Sequence, residues 1–395
     1  MSGQQRLEGR RALLAEIRRA GRIPRIDLAE RTGISRATVT TITADLLREG
    51  LIEEVARESG SRATGRGRPK VDLKIRGAAR LIAGAKVSRQ SVSMVLLDFE
   101  GTQLADLEVT LDRAVHAPED FADMLGGCLD RLAASIGRQR SEISGFGVGI
   151  AGVVDAPRGF VYWSPSLDRR NIRLGPIMRD RIGMPVHVDN DANLVAVAEK
   201  SFGLGQDHSD FIVVTIEAGV GMGIVIGNEL YRGTRGCGAE FGHTKVHLDG
   251  ALCRCGQRGC LEAYVADYAL LREATYAGGA DYDLEGLLAA ARAGEPLALS
   301  ILQRAGRMFA MGLANLVNIF DPELIILAGE QMRFDHLYAE EVIAAMREQI
   351  VQVDRDPPEV VVHEWGDLMW ARGAAGYALE QVSEAAVAGE DADAA

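Results

Sequence analysis

Residues 240–262, EFGHTKVHLDGALCRCGQRGCLE, hold His243, Cys253, Cys255 and Cys260 between two glutamates, Glu240 and Glu262. One imidazole and three thiolates are a sufficient set for tetrahedral zinc. Four protein ligands leave no coordination position for an activated water, so the spacing predicts one structural Zn2+ per chain. Gly256 and Gly259 let so short a cysteine loop fold back on itself. His247 is an alternative ligand, but His243 lies directly behind Glu240 in AEFGH and would tie the metal to the wall that Glu240 forms.

A second constellation is VHVDNDANLVAVAEKSFG, where Asn190 and Asp191 stand between an expected strand and a helix carrying Ala192, Val195, Ala196 and Glu199. An acidic residue at a helix start often serves only as a cap. The triplet Asp189, Asn190, Asp191 offers more polar groups than one cap uses. A carboxylate beside an amide accepts from and donates to adjacent hydroxyls, which suits a sugar or polyol. The metal loop would then fix Glu240 and Glu262 as two further carboxylates for such a ligand.

The elements that must position these residues recur. ARLIAGAKVSRQSVSMVLLDFEG reads as two apolar strands around a polar turn, followed by the alternating run LADLEVTL, a helix from about Pro118 to Arg138 and a buried strand, ISGFGVGIAGVVD. SDFIVVTIEAGVGMGIVIGNELYRG repeats strand, glycine turn and strand. Two copies of one design imply two α/β lobes, with a ligand in the cleft between them. ILQRAGRMFAMGLANLVNIF is a long helix whose apolar face serves either the core or a subunit surface.

Charge sets the front of the chain apart. Residues 1–80 carry 18 Lys+Arg against 10 Asp+Glu, a formal +8, and the remainder carries 26 against 46, or −20, within a total of −12. Nucleic acid is thus a partner for the front module only. There Leu13, Leu14 and Ile17 recur at helical spacing, a short helix near Arg25 to Arg31 ends at Gly33, and Ser35 caps a second helix with Val39, Ile42 and Leu46 facing inward. Arg36, Thr38 and Thr41 are left near the exposed N-terminal half beside Ser35, as in a helix that enters a major groove. LIEEVA and KVDLKI read as a strand pair around RESGSRATGRGRP, a loop whose arginines, Arg66 and Arg68 among them, suit a phosphate-contacting wing.

At 395 residues and 47% apolar content the chain has room for two or three domains. No apolar run reaches the roughly 18 residues of a membrane span, and the N-terminal segment lacks the apolar stretch of a signal peptide. A cytoplasmic protein with no membrane partner is expected. Three of the five cysteines fall within eight residues, which reads as metal ligation and not as a disulfide framework.

CRCGQRGCLE, together with GAEFGH and VDNDAN, resembles the ROK family, whose name joins repressors, open reading frames and kinases, and specifically its repressor-type members. The resemblance runs from the front winged helix-turn-helix to the NIFDPELIILAG strand and the C-terminal helix. It implies a two-lobed actin-like, sugar-kinase-like (ribonuclease H-like) α/β fold, with residues 1–78 as the DNA-binding domain. Residues 79–190 with helix 373–388 would form the first lobe, and residues 191–372 the second, with the zinc loop. It also implies a sugar site of Asn190, Asp191, Glu240, His243 and Glu262, with Asn171 and the strand end at Gly152 completing it. Asp191 would occupy the catalytic-base position of kinase members, and His243 would serve metal through one ring nitrogen and sugar through the other. SPSL has Ser166 where many members carry asparagine.

The chain departs from the kinase members where phosphate would bind. In place of DIGGT stands AKVSRQS, with Lys86 near the acidic position and Ser88, Arg89 and Gln90 in the turn. In place of GTGIGGG stands EAGVGMG, with Glu217, and LAGEQ replaces a double glycine. Glycine-poor loops of the wrong charge cradle phosphate poorly. The reading is a non-enzymatic, sugar-responsive transcriptional regulator, a repressor of inverted-repeat operator DNA working as a homodimer or homotetramer. Its effector is a sugar, sugar phosphate or polyol. The alternative is an ATP-dependent sugar kinase with an added DNA-binding domain.

Overall fold

The computed structural model describes residues 3–56, 71–278, 282–329, 335–337, 339–351, 354, 356–363, 366 and 368–389. The front module is α1 (Gly3–Ala20), α2 (Arg25–Thr32), α3 (Arg36–Arg48) and an antiparallel pair, β1 (Ile52–Ala56) and β2 (Val71–Ile75). Its core holds the periodic set read from the sequence, Leu13, Leu14, Ile17, Val39, Ile42 and Leu46, all buried, and Leu28 of α2 joins them. Gly33 closes α2 in the left-handed conformation at φ 69°, and Ser35 Oγ caps α3 by accepting from Thr38 N at 3.3 Å. The loop assigned to the wing, with Arg66 and Arg68, lies outside the described residues.

The body begins with β3 (Leu81–Val87), β4 (Ser91–Asp98) and β5 (Gln103–Thr110), a meander in which Leu81 pairs with Asp98 and Val87 with Val92. Next comes α4 (Pro118–Ala134), which ends four residues before the expected Arg138. There Gly137 turns the chain at φ 70° and Arg138 N bonds back to Ala133 O, satisfying a terminal carbonyl. The stretch expected as one strand is two, β6 (Ile143–Ile150) and β7 (Val153–Asp155), the latter paired with β8 (Phe160–Trp163). The break falls at Gly152, where φ is 123° and an added Cβ would stand 2.2 Å from Trp163 O. After α5 (Leu174–Ile182) come β9 (Val186–Asn190) and α6 (Asp191–Phe202).

The chain continues through β10 (Phe211–Ile216), β11 (Val220–Ile226), β12 (Glu229–Tyr231), α7 (Glu262–Val265), α8 (Asp267–Gly278), α9 (Leu284–Arg292) and α10 (Pro296–Phe320). It ends with β13 (Leu324–Ala328), α11 (Glu340–Gln349), β14 (Glu359–Val362) and α12 (Met369–Ala388). Two five-stranded sheets result, in the orders β5-β4-β3-β6-β9 and β12-β11-β10-β13-β14. The chain forms two compact units, one of Met1–Gly149, Pro165–Val188 and Ala374–Ala395, the other of Ile150–Ser164 and Asp189–Gly373. In the second unit, α10 buries Ile301, Ala305, Phe309 and Leu313, which places that face of the helix in the core. No helix among the described residues is long and apolar enough to cross a membrane.

In the first unit the front module shares its core with the body: Ala378, Leu379 and Val382 of α12 join Leu13, Ile17 and Phe99 in one cluster. Arg18 of α1 donates to Phe99 O at 3.2 Å and to Ser383 Oγ at 3.0 Å, with its guanidinium 5.0 Å from the centre of the Phe99 ring. Burial lowers its pKa to about 10, against the pull of Glu380, Asp98 and Glu100, so it stays charged at neutral pH.

The contact between β6 and α12 is close enough to test. An added Cβ at Gly147 would stand 1.8 Å from Ala374 O, so Gly147→Ala must push backbone apart. We expect it to cost roughly 1–3 kcal/mol of stability in denaturant unfolding. Gly127, exposed on α4 with nothing near its missing Cβ, should gain about 0.5–1 kcal/mol on the same change.

Candidate metal and ligand site

The ligand atoms of His243, Cys253, Cys255 and Cys260 all lie within 4.8 Å of one another. Cys253 Sγ is 3.7 Å from His243 Nδ1, and Cys255 Sγ is 3.7 Å from Cys260 Sγ. A tetrahedral site with Zn–S bonds of about 2.3 Å holds its sulfurs about 3.8 Å apart, so the set fits a tetrahedral metal ion. His247 stands apart, its Nδ1 2.8 Å from Leu248 O. Lys245 Nζ lies 2.9 Å from Cys260 Sγ. At Cys255 burial pushes the thiol up, but the Gln257 N–H, the neighbouring thiols and Lys245 outweigh it and hold it below its ordinary value.

Backbone geometry gives the loop this shape. Gly256 and Gly259 sit at φ 87° and 74°, and a Cβ at Gly259 would stand 1.8 Å from His247 O. Cys253 N donates to Gln257 O at 2.8 Å, and Leu261 N donates to Thr244 O at 3.0 Å. The two ends of the segment are thereby drawn together.

The other ring nitrogen of His243, Nε2, stands 3.9 Å from Glu240 Oε2. Partial burial raises the Glu240 carboxyl; His243 opposes this, and the carboxylates of Glu262 and Asp191 add to it. Three acidic groups thus act on one another across this face. Glu262 Oε2 meets Val220 N at 3.4 Å, and Oε1 meets Tyr268 OH at 3.2 Å.

At the head of α6 Asn190 is the N-cap residue, and Asp191 Oδ1 shares one of the amides, accepting from Ala192 N at 3.0 Å. Asn190 Oδ1 accepts from Ala192 N at 2.9 Å and Asn193 N at 3.4 Å, while its Nδ2 donates to Gly152 O at 2.8 Å. That leaves one amide hydrogen for a ligand. Asp189, fully buried, accepts from Arg232 Nε at 2.8 Å, Asn193 Nδ2 at 3.0 Å and Asn190 N at 2.7 Å. Burial raises the Asp189 carboxyl, with Arg232 the main opposing influence. Sequence reading passed over Arg232 and Tyr268, neither of which stands at a recognisable spacing from its partner. Asn171 belongs to the first unit, exposed, at φ 55°.

The β3–β4 turn, also in the first unit, closes on itself. Ser88 Oγ accepts from Gln90 N at 3.4 Å and Ser91 N at 3.1 Å, so two of the turn's amides are spent on a side chain. In the other unit Gly219, in the β10–β11 turn after Glu217, stands against Glu262: an added Cβ there would be 3.1 Å from Oε2. Of LAGEQ, Gly329 is at φ 110°, and Glu330 and Gln331 lie outside the described residues. On α3, Ser35, Arg36 and Thr41 are exposed and Thr38 is half-buried. Arg36 lies 3.6 Å from Glu30, and exposed Thr40, one turn beyond Arg36, extends the same face.

A helix-turn-helix module ahead of an α/β body with two five-stranded sheets and a His/Cys3 cluster defines a DNA-binding protein with an actin-like, sugar-kinase-like body. The chain belongs to the ROK family, which it matches over residues 83–381, and residues 10–53 match the winged helix-turn-helix DNA-binding family. It is 31% identical to the xylose repressor of Bacillus spizizenii over 316 residues, 80% of each chain. The crystal structure of a ROK family transcriptional regulator, homolog of the Escherichia coli MLC protein, matches with TM-score 0.82 and 26% identity, covering 99% of each chain. A ROK family glucokinase from Streptomyces griseus, solved with glucose and AMPPNP, matches with TM-score 0.63 and 32% identity over 75% of this chain and 99% of its own.

The Asp189–Arg232 pair yields a pH-dependent prediction. Arg232→Met leaves a buried carboxylate without its cation, which costs roughly 3–5 kcal/mol. A carboxyl whose folded pKa is raised stabilises the fold below its unfolded pKa and loses that contribution as pH rises through the folded value. The loss in Arg232→Met relative to wild type should therefore be larger at pH 8 than at pH 5 in parallel urea titrations. Equal losses at both would contradict this account of Asp189.

Proposed function

We propose that the protein is a sugar-responsive transcriptional regulator, acting as a cytoplasmic repressor. Residues 1–78 bind an inverted-repeat operator within a homodimer or homotetramer; the body, residues 79–190 with 373–388 and 191–372, takes up a sugar, sugar phosphate or polyol. Ser35, Arg36, Thr38 and Thr41 of α3 address the groove, and Arg66 and Arg68 the phosphates. Asp191, Glu240 and Glu262 accept from ligand hydroxyls, and His243 Nε2 and the remaining Asn190 amide hydrogen supplement them. The observation that carries this reading is the pairing of a winged helix-turn-helix with that polar set, while the turn at Ser88 spends two of its amides internally. The names of the xylose repressor and the glucokinase complex support xylose and glucose as the first ligands to test.

The His243, Cys253, Cys255, Cys260 site is assigned to one structural zinc. When bound it supplies rigidity, because four protein ligands leave no position for substrate or water. Protein purified without added metal should contain one zinc per chain. Cys255→Ser should lose it and, with it, both thermal stability and sugar affinity, since loop shape and metal are coupled. Undiminished zinc in that variant would remove the assignment.

ATP-dependent phosphate transfer to a panel of sugars separates this reading from a kinase. The expected result is tight binding of a sugar and no phosphorylated product; turnover at kinase rates would overturn it. Asp191→Asn should weaken the binding about tenfold to a hundredfold in calorimetry, the worth of one charge-assisted hydrogen bond. Unchanged affinity would remove Asp191 from the site.

A further inference from the structure

We propose that Tyr268 is a positioning residue, tying the metal loop to Glu262 and aiming that carboxylate at the ligand. Tyr268 lies on α8, and its hydroxyl stands at a junction of three groups. It is 3.2 Å from Glu262 Oε1, 3.4 Å from Arg254 N and 3.7 Å from Cys253 Sγ. A phenol has one proton to donate and oxygen lone pairs with which to accept. The phenol oxygen accepts from the Arg254 N–H, which leaves its proton for Glu262 Oε1.

The ring is clamped. Arg254, between two of the cysteines, lays its guanidinium 3.8 Å from the ring centre, and that of Arg272 lies 5.6 Å away. Arg272 in turn donates to Leu252 O at 2.6 Å and Ala263 O at 3.1 Å, joining the backbone of the cysteine loop to α7. The hydroxyl therefore cannot swing away without disturbing the loop.

A second donor to Glu262 Oε1 is the Cys253 thiol, at 3.5 Å. A cysteine that holds metal does so as thiolate and has no proton to give. With metal in place, Tyr268 becomes the side chain that supplies a proton to Oε1, while Val220 N faces Oε2. Both oxygens are then oriented by the protein, and their remaining lone pairs point to the ligand. Groups that orient a metal loop from outside its ligand set commonly alter metal affinity by about 10–100-fold when removed.

This inference rests on the sugar reading for the role of Glu262, and the test keeps the two apart. Full-length, zinc-loaded Tyr268→Phe keeps the ring and its packing and loses only the hydroxyl. It should release zinc to a chelator such as EDTA about tenfold faster than wild type. Its affinity for the best-binding sugar should fall about fivefold to tenfold. In a double-mutant cycle with Glu262→Gln, the Tyr268→Phe change should then cost nothing further, because it acts through that carboxylate. Full additivity with Glu262→Gln would overturn the proposal, since a residue that only packs the loop would give that result. A wild type that takes up no sugar of the panel would remove the sugar reading alone. Zinc release then decides the tie, and equal rates in wild type and Tyr268→Phe would overturn it.

Discussion

The shape of the face proposed to bind a ligand depends on one constraint: four side chains from a glycine-bent loop must bring their ligand atoms to the edge lengths of a tetrahedron. Between Glu240 and Glu262 the chain has one helical turn at Phe241–His243 and two isolated antiparallel bridges, Lys245 with Cys260 and Leu252 with Arg258. The separation of the two glutamates is set jointly by these backbone pairings, Leu261 N to Thr244 O among them, and by the His243, Cys253, Cys255, Cys260 set with the turns at Gly256 and Gly259. Without the set closed, the ordering entropy of this segment is opposed only by backbone bonds such as Val246 N to Gly259 O and Gly259 N to Ala251 O and by its side-chain contacts.

The other half of the face has a different support. Asn190 and Asp191 are held by the start of α6, and beneath them the buried Asp189 draws in Arg232, Asn190 and Asn193. Arg232 also accepts from Gly238 N at 2.9 Å, so the residue that neutralises Asp189 lies at the root of the segment leading to Glu240. A buried ion pair is weak evidence for stability in itself, since desolvation offsets attraction. Here its value is geometric, because it ties the α6 terminus to the segment that follows β12.

Local features were legible in the sequence. The helical period of Leu13, Ile17, Val39, Ile42 and Leu46, the cap at Ser35 and the cysteine spacing each follow from short-range rules, and the structure reproduces them. What escaped were contacts between residues far apart in the chain. Arg18 reaches Ser383, and Arg232 reaches Asp189; no periodicity announces either. The division of work between Asn190 and Asp191 also had to wait, because either could cap α6 and only the geometry shows Asn190 doing so. The break at Gly152 was hidden because an apolar run reads the same whether it forms one strand or two.

Sugar can regulate DNA binding only if it has different affinity for the DNA-competent and DNA-incompetent states. The front module is well placed to feel such a difference, since α1 shares a core with α12 and places the charged Arg18 against Phe99 and Ser383. The direct test is a fluorescence titration of the full-length protein onto a duplex that it has itself selected from a random-sequence pool. It is run with and without the tightest-binding sugar and at several salt concentrations. The account predicts a shift in DNA affinity of at least about fivefold, the low end of measured allosteric couplings. A sugar that binds tightly and leaves the DNA affinity unchanged at every salt concentration would contradict it.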